Sequence, residues 1–388
     1  MLKVAVITST RAEYGLLYPL IIKLLKDEYF ECQLIVTGTH LLKRFGNTID
    51  VIRNDQIPIA YEVPIMEEET ENVNTVIAKG IYEFSKLYEK EQYEAIIILG
   101  DRYELYSFCI PAVMLNIPIV HIHGGERTEG AVDERVRHSI SKMASLHFPS
   151  LPEYAHRLIQ LGENPAYVYP VGALGIDNIK QIIPLSKKEL ENDLKISLDK
   201  PTALMTFHPV TLDSDIEIKR QGRELFEALV ETKINYIVTM PNNDRGSRIL
   251  TEIIEEYSIN YPERFFYYKS LGQKRYLSLL RYVSMVVGNS SSGLIEVPSF
   301  NIPTINIGDR QKGRFMPDTV INCKCEKKHI LDAVLYAQSD EFRKKAENYI
   351  SPYGVGNAAE KMISIMKKVD FKSDGIIKKE FYDLEFKI

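Results

Sequence analysis

Short apolar runs alternate with longer amphipathic stretches along this chain. Residues 4–8, 33–36, 95–99, 117–121 and 167–171 are compact, mostly apolar runs that predict strands. Between them, apolar positions recur at helical spacing over 14–26, 73–89, 104–115, 133–144 and 152–161. Strands without polar alternation are buried on both faces, and strands that alternate with helices form a parallel, doubly wound sheet. A polar Lys/Glu-rich stretch at 184–200 interrupts the pattern, which then restarts. Strands fit 202–207, 236–239, 265–268, 285–287 and 304–306, again with helices between them, and a last helical stretch covers 356–369.

The fold class is therefore α/β, with two Rossmann-like, doubly wound parallel-sheet domains whose loops face a cleft. We expect an N-terminal domain over 1–172, a C-terminal domain over 173–355, and a terminal segment, 356–388, that crosses back onto the first. The tail from Asp370 is highly charged and is expected to pack weakly. At 388 residues, 45% hydrophobic and 26% charged, the chain can bury two cores. A net charge of −5 argues against a general nucleic-acid binder. No apolar run approaches the roughly 18 to 20 residues of a membrane span. The N-terminus runs from Met1-Leu2-Lys3 straight into a strand, which leaves no room for a signal peptide, so a cytoplasmic location is expected. Cys32, Cys109, Cys323 and Cys325 form no C-x-x-C and read as small packed residues.

Parallel sheets bind ligands beyond the C-terminal ends of their strands. The chemically suggestive residues collect there. Val287-Gly288-Asn289-Ser290-Ser291-Ser292-Gly293-Leu294-Ile295-Glu296 runs from a strand through a hydroxyl-rich turn into a helix. Such a turn offers backbone N–H groups and hydroxyls to a phosphate, and Glu296, about one turn on, can accept the hydroxyls of a ribose. No P-loop sequence occurs. Arg11 in Thr8-Ser9-Thr10-Arg11-Ala12-Glu13 can hold phosphate by a charged fork. Asp101 and Arg102 follow Gly100 at a strand end, and His40 and Asn243 lie in two further strand-end loops.

His121-Ile122-His123-Gly124-Gly125-Glu126 puts both histidines on one face if the strand continues. No compact third ligand set accompanies them, so acid/base work or sugar recognition is preferred to metal. In the next helix Asp133 and Arg137 lie one turn apart, as do Glu134 and His138. Carboxylates clustered on consecutive loops can have separated pKa values, one serving as base and another as acid. His208 ends the first strand of the second half, and Arg310, Lys312 and Arg314 give three cations for phosphate neutralisation.

Together T-S-T-R-A-E-Y-G, G-T-H, L-G-D-R-Y-E, H-I-H-G-G-E, D-E-x-x-R-H-S-I-S-K, F-H-P-V-T, G-N-S-S-S-G-L-I-E and N-I-G-D-R-Q-K-G-R resemble the UDP-N-acetylglucosamine 2-epimerases, in their hydrolysing, NeuC-like branch. The resemblance implies the GT-B fold and a UDP-sugar substrate without metal or cofactor. It also implies a homodimer or dimer of dimers, with no nucleic-acid or membrane partner. It implies that Ser290, Ser291 and Glu296 contact UDP, with Arg11, Arg102, His208, Asn243 and Arg310 on the nucleotide side. Asp101 and Asp133 match catalytic positions, and Arg137 and His208 accompany them. His123 stands where relatives carry Glu, so His123 or Glu126 can share the proton transfers. His40, Glu134 and His138 are the expected sugar contacts. The non-hydrolysing enzymes carry a Lys after Arg-Pro-Glu, whereas Arg11-Ala12-Glu13-Tyr14 has none nearby, which favours the hydrolysing branch.

The implied reaction removes the C2 proton of N-acetylglucosamine, expels UDP, hydrates 2-acetamidoglucal and reprotonates C2 from the other face. The product, N-acetylmannosamine, serves sialic acid synthesis. A relative acting on a UDP- or GDP-linked N,N'-diacetylbacillosamine for legionaminic acid is the rival within the family. A GT-B glycosyltransferase and a non-catalytic nucleotide-sugar sensor are the rivals outside it.

Overall fold

The computed structural model describes the whole chain apart from residues 69–71, 130–131, 211–212, 242–245 and 386–388. It divides into two compact units. The first comprises Met1–Glu126, Val132–Lys180 and Pro352–Ile388, and the second Arg127–Ala131 and Gln181–Ser351.

The first unit is built on β1 (Leu2–Thr8), β2 (Phe30–Thr37), β3 (Ile59–Val63), β4 (Ala95–Leu99), β5 (Ile119–Ile122) and β6 (Leu146–Phe148), in the order β3-β2-β1-β4-β5-β6. The second is built on β7 (Thr202–Thr206), β8 (Asn235–Thr239), β9 (Phe265–Tyr268), β10 (Met285–Gly288), β11 (Thr304–Ile307) and β12 (Val320–Cys323), in the order β12-β11-β10-β7-β8-β9. Every pairing is parallel. Both orders are the doubly wound Rossmann order, so the crevices where ligands collect lie at β1/β4 and β7/β10.

The central strands carry the core. Ala95–Leu99 is buried at every position because helices cover both faces of its sheet. The helix Arg11–Lys26 packs Tyr14, Leu17, Leu20, Ile21 and Leu24 inward at helical spacing. Its start is fixed by a capping box in which Thr10 accepts from Glu13 N and Glu13 reaches back.

Several elements differ from the sequence expectation. The strand expected at 167–171 is a 3-10 turn, Pro165–Tyr167, with a single bridge from Val168 to His147. The short strands β3, β6 and β12 lie at the sheet edges; half-exposed residues blur the apolar signal of β3 and β12, and β6 is only three residues long. Helices Leu174–Gln181 and Lys187–Leu194 form in the stretch around the expected boundary. Asp177 in the first of them accepts from Ala358 N and Ala359 N and so caps the helix Ala358–Met366. The charged tail does not pack weakly, because Phe371 and Ile376 are buried and Tyr382 N donates to Gly162 O. The four thiols are free. No described helix is long and apolar enough to cross a membrane.

The tightest backbone approach is at the end of β10. Gly288 has φ of +140°, and a Cβ there would lie 1.8 Å from Thr206 O on the paired strand β7. Only glycine fits this junction. Gly288→Ala is expected to destabilise the protein by at least about 3 kcal/mol. Urea unfolding would measure it, and a loss well under that figure would show that the two strands can part locally.

Candidate active site

In the first unit the strand-end loops converge through buried hydrogen bonds. After β1, the Glu13 carboxylate accepts from Ser9 N (2.8 Å), Ser9 Oγ (2.8 Å) and Thr10 N (3.2 Å). This turn leaves Arg11 exposed at the first helical position. Burial pushes Glu13 up to about 7, against the opposing charge of Arg102. His40 is fully buried, with Nε2 3.1 Å from Thr8 Oγ1 and Nδ1 2.8 Å from Thr48 Oγ1. Both ring nitrogens are thus engaged, a supporting place rather than the sugar-facing one expected for His40. After β4, Arg102 forks onto buried Glu104, with its closest contact at 2.8 Å.

The expectation that His121 and His123 share a strand face does not hold. β5 ends at Ile122, and His123 has φ of +65°, which breaks the alternation. His121 Nε2 donates to Gly100 O (2.8 Å), which leaves Nδ1 to accept from Ser141 Oγ (3.2 Å). Burial depresses this imidazole to about 3. His123 Nδ1 lies 3.7 Å from Glu126 Oε1, and both residues are buried.

The centre of this half is Arg137, 1% exposed. Its Nε donates to Asp101 Oδ2 (3.1 Å), its Nη2 pairs with the same oxygen, and its Nη1 reaches Glu126 O (3.0 Å) and Glu134 Oε2 (2.8 Å). One guanidinium therefore ties together the loops after β4 and β5 and the helix Val132–Met143. Sequence spacing pointed Arg137 at Asp133, but its ion pairs are with Asp101 and Glu134. The expected Glu134–His138 pair forms, at 3.0 Å. Asp133, in the first turn of that helix, is exposed, yet partial desolvation and the charge of Asp101 raise its carboxyl, against the opposing charges of Arg102 and Arg137.

In the second unit an uncharged residue does the tying. Asn289 is buried directly after Gly288, and its side chain accepts from His208 N (2.7 Å) and donates to His208 O (2.8 Å). Its own carbonyl accepts from Arg310 Nη1 (3.1 Å) and Gln311 Nε2 (2.8 Å). Asn289 thus holds the loops after β7, β10 and β11 in one arrangement. Sequence reasoning gave no role to Asn289 or Gln311; the signal available was an amide, able both to donate and to accept, at the strand end beside an obligatory glycine.

His208 is buried and depressed to about 3, by burial and then by Arg310, so it is neutral near pH 7. Ser290 and Ser291 are part-buried and precede a single turn, Ser292–Ile295, with Glu296 at its end. Ser292 Oγ lies 2.7 Å from Tyr276 Oη. A cavity of about 790 Å³ opens beside this cluster, lined by Asn289, Asn306, Asp309, Lys312 and Arg314 among others. Asn243 lies outside the described residues. Among the described residues no group of acidic, His or Cys side chains has a metal-binding arrangement.

A family model described as UDP-N-acetylglucosamine 2-epimerase matches residues 22–367. The Polysialic acid biosynthesis protein P7 of Escherichia coli is 38% identical, over 99% of this chain and 98% of its own. A GDP/UDP-N,N'-diacetylbacillosamine 2-epimerase (hydrolyzing) of Campylobacter jejuni is 36% identical, over 98% and 99%. The crystal structure of UDP-GlcNAc 2-epimerase from Neisseria meningitidis bound to UDP-GlcNAc superposes with a TM-score of 0.83 at 19% identity, over 95% of this chain and all of that one. This last likeness speaks to the fold.

The buried histidines set the sign of the pH dependence. Burial lowers His40, His121 and His208 to about 4, 3 and 3, from 6.5. Each therefore takes up a proton on unfolding once the pH drops below about 6.5. Glu13, raised from 4.5 to about 7, acts in the opposite sense between those values. Three histidines outweigh one carboxyl, so stability falls as pH falls below 6.5. The melting midpoint is expected to be lower at pH 5 than at pH 7; a midpoint that holds or rises over this interval contradicts the assignment of these histidines as buried and neutral.

Proposed function

This chain belongs to the UDP-N-acetylglucosamine 2-epimerase family, together with its hydrolysing members, and we propose that it converts UDP-N-acetylglucosamine and water to N-acetylmannosamine and UDP, in the supply of sialic acid. The observation that carries the reading is the Arg137 cluster, which gathers Asp101, Glu126 and Glu134 beside Asp133 at the end of one sheet.

The proposed chemistry has two stages. In the first, a base takes the C2 proton of the sugar, the C1=C2 bond forms, and the C1–O bond breaks to release UDP. In the second, water adds at C1 of 2-acetamidoglucal and C2 is protonated from the opposite face. The raised carboxyl of Asp133 supports it as one proton carrier, since a base is most effective when its pKa approaches the working pH. Asp101, oriented by Arg137, is the second, with His123 and Glu126 available on the adjoining loop.

The leaving diphosphate calls for positive charge and N–H donors that strengthen as its own charge develops. We assign this task to Arg11, Arg310 and the Ser290–Ser291 turn, with Glu296 on the ribose and Arg102 and Asn243 on the nucleotide. Neutral His208 fits hydrogen bonding to the nucleotide rather than charge neutralisation. Glu134 and His138, paired with each other, are assigned to the sugar.

The 36% identity to the bacillosamine enzyme supports a second reading, in which the sugar carries a 4-acetamido group. A UDP-release assay with UDP-N-acetylglucosamine and UDP-N,N'-diacetylbacillosamine side by side decides: the first sugar is expected to turn over faster, and a preference for the second replaces the main reading. Asp101→Asn and Asp133→Asn are each expected to lower kcat by at least about 100-fold and to keep UDP affinity within a few-fold. Calorimetric loss of UDP binding in both variants would refute their assignment to proton transfer.

A further inference from the structure

The helix that bears Asp133, Glu134, Arg137 and His138 is held at its far end by the C-terminal segment of the chain. Lys379 Nζ reaches the last carbonyls of that helix, Ala144 O (2.6 Å), Lys142 O (2.8 Å) and Ser141 O (3.4 Å). A cation on the last carbonyls of a helix stabilises that end both by hydrogen bonding and by its charge against the helix dipole. The same ammonium pairs with Glu163 Oε2 (2.6 Å). Glu163 is nearly fully buried, also forms an ion pair with Lys142 Nζ (2.7 Å), and accepts from His147 Nε2 (2.7 Å) on β6. Burial favours the neutral acid, but His147, Lys379 and Lys142 outweigh it and lower Glu163 to about 2.

His147 is paired in register with His121 on β5, and His121 is bonded to Ser141 of the same helix and to Gly100 O beside Asp101. The link from Lys379 to the carboxylate loops is therefore continuous through packed and bonded groups.

The segment that delivers Lys379 is fixed on both sides. Phe381 lies over Gly162, where a Cβ would come 2.3 Å from the ring, and Lys142 Nζ stands 4.9 Å from the centre of the same ring. Tyr382 N donates to Gly162 O (3.0 Å), and Ile376 is buried. Ile376, Lys379, Phe381 and Tyr382 lie beyond residue 367, where the match to the family model ends.

We propose that Lys379 is a positioning residue for the epimerase site: by fastening the end of the helix Val132–Met143, it sets the placement of Asp133 and Glu134 at the helix start. The proposal rests on the reading of those two residues as part of the site. A rigid helix transmits a small tilt at one end to the other, and misplacing a reacting group by about 1 Å can lower turnover up to about 100-fold.

The test uses Lys379→Met, which keeps the stem and removes the charge, and Lys379→Arg, which keeps the charge. The methionine variant is expected to lose about ten-fold in kcat while KM for the UDP-sugar stays within about two-fold, and the arginine variant to recover most of the loss. In hydrogen exchange, amides of 132–143 should open faster in the methionine variant while those of the second unit stay unchanged. Wild-type kcat in Lys379→Met overturns the proposal. So does a fall in kcat accompanied by faster exchange throughout the molecule, which marks a merely structural role. If wild-type protein turns over neither sugar, the reaction assignment has failed instead, and unchanged exchange of 132–143 then independently refutes the fastening of the helix by Lys379.

Discussion

The cluster at the strand ends of the first unit depends on one buried positive charge. Removing a guanidinium from water is strongly unfavourable unless carboxylates and carbonyls surround it. Arg137, 1% exposed, meets that demand with Asp101, Glu134 and the Glu126 carbonyl. Those partners come from separate loops, so satisfying the charge also fixes the loops relative to one another. Satisfying one charge and arranging the site are here the same event. Such a pair adds little net stability compared with an apolar core, but breaking it by removing one partner is strongly unfavourable. Its value lies in the single geometry it permits.

The second unit solves the same problem without charge. Asn289 binds the main chain of His208 in both directions while its own carbonyl receives Arg310 and Gln311. A neutral amide can do this beside an obligatory glycine because it is small and carries both a donor and an acceptor. A carboxylate there could not donate to His208 O, and a cation could not accept from His208 N. The depressed His208 follows the same logic, since burial and then the charge of Arg310 keep it neutral near pH 7.

Sequence patterning resolved the parts of this fold in which a single physical signal dominates. Fully buried strands such as β4 announce themselves as apolar runs, and both six-stranded sheets centre on them. The edge strands β3, β6 and β12 are short or half-exposed, so packing rather than local composition determines them. Residues at the candidate site were visible as polar groups at strand ends, but their partners were not. Helical spacing joined Arg137 to Asp133, whereas the tertiary contact to Asp101 lies 36 positions away. His123 escaped the alternation because the strand stops one residue before it. The tail seemed too charged to pack, yet Lys379 is held there because its charge meets helix carbonyls and Glu163.

These contrasts bear on why a fold shared with other nucleotide-sugar enzymes would carry proton chemistry here. A strand-end turn that receives a diphosphate says little about which bond breaks, since any reaction with UDP as leaving group needs one. What singles out an elimination is a basic group able to attack a weakly acidic C–H. Asp101 and Glu134 are each tied to the buried guanidinium of Arg137. Asp133 differs: it is raised by desolvation and by the negative charge of its neighbour Asp101. Arg102 and Arg137 oppose that rise with their positive charges, and it persists despite them. Two carboxylates in unlike surroundings, one ion-paired and one raised, are the kind of arrangement on which the proposed division between acid and base draws.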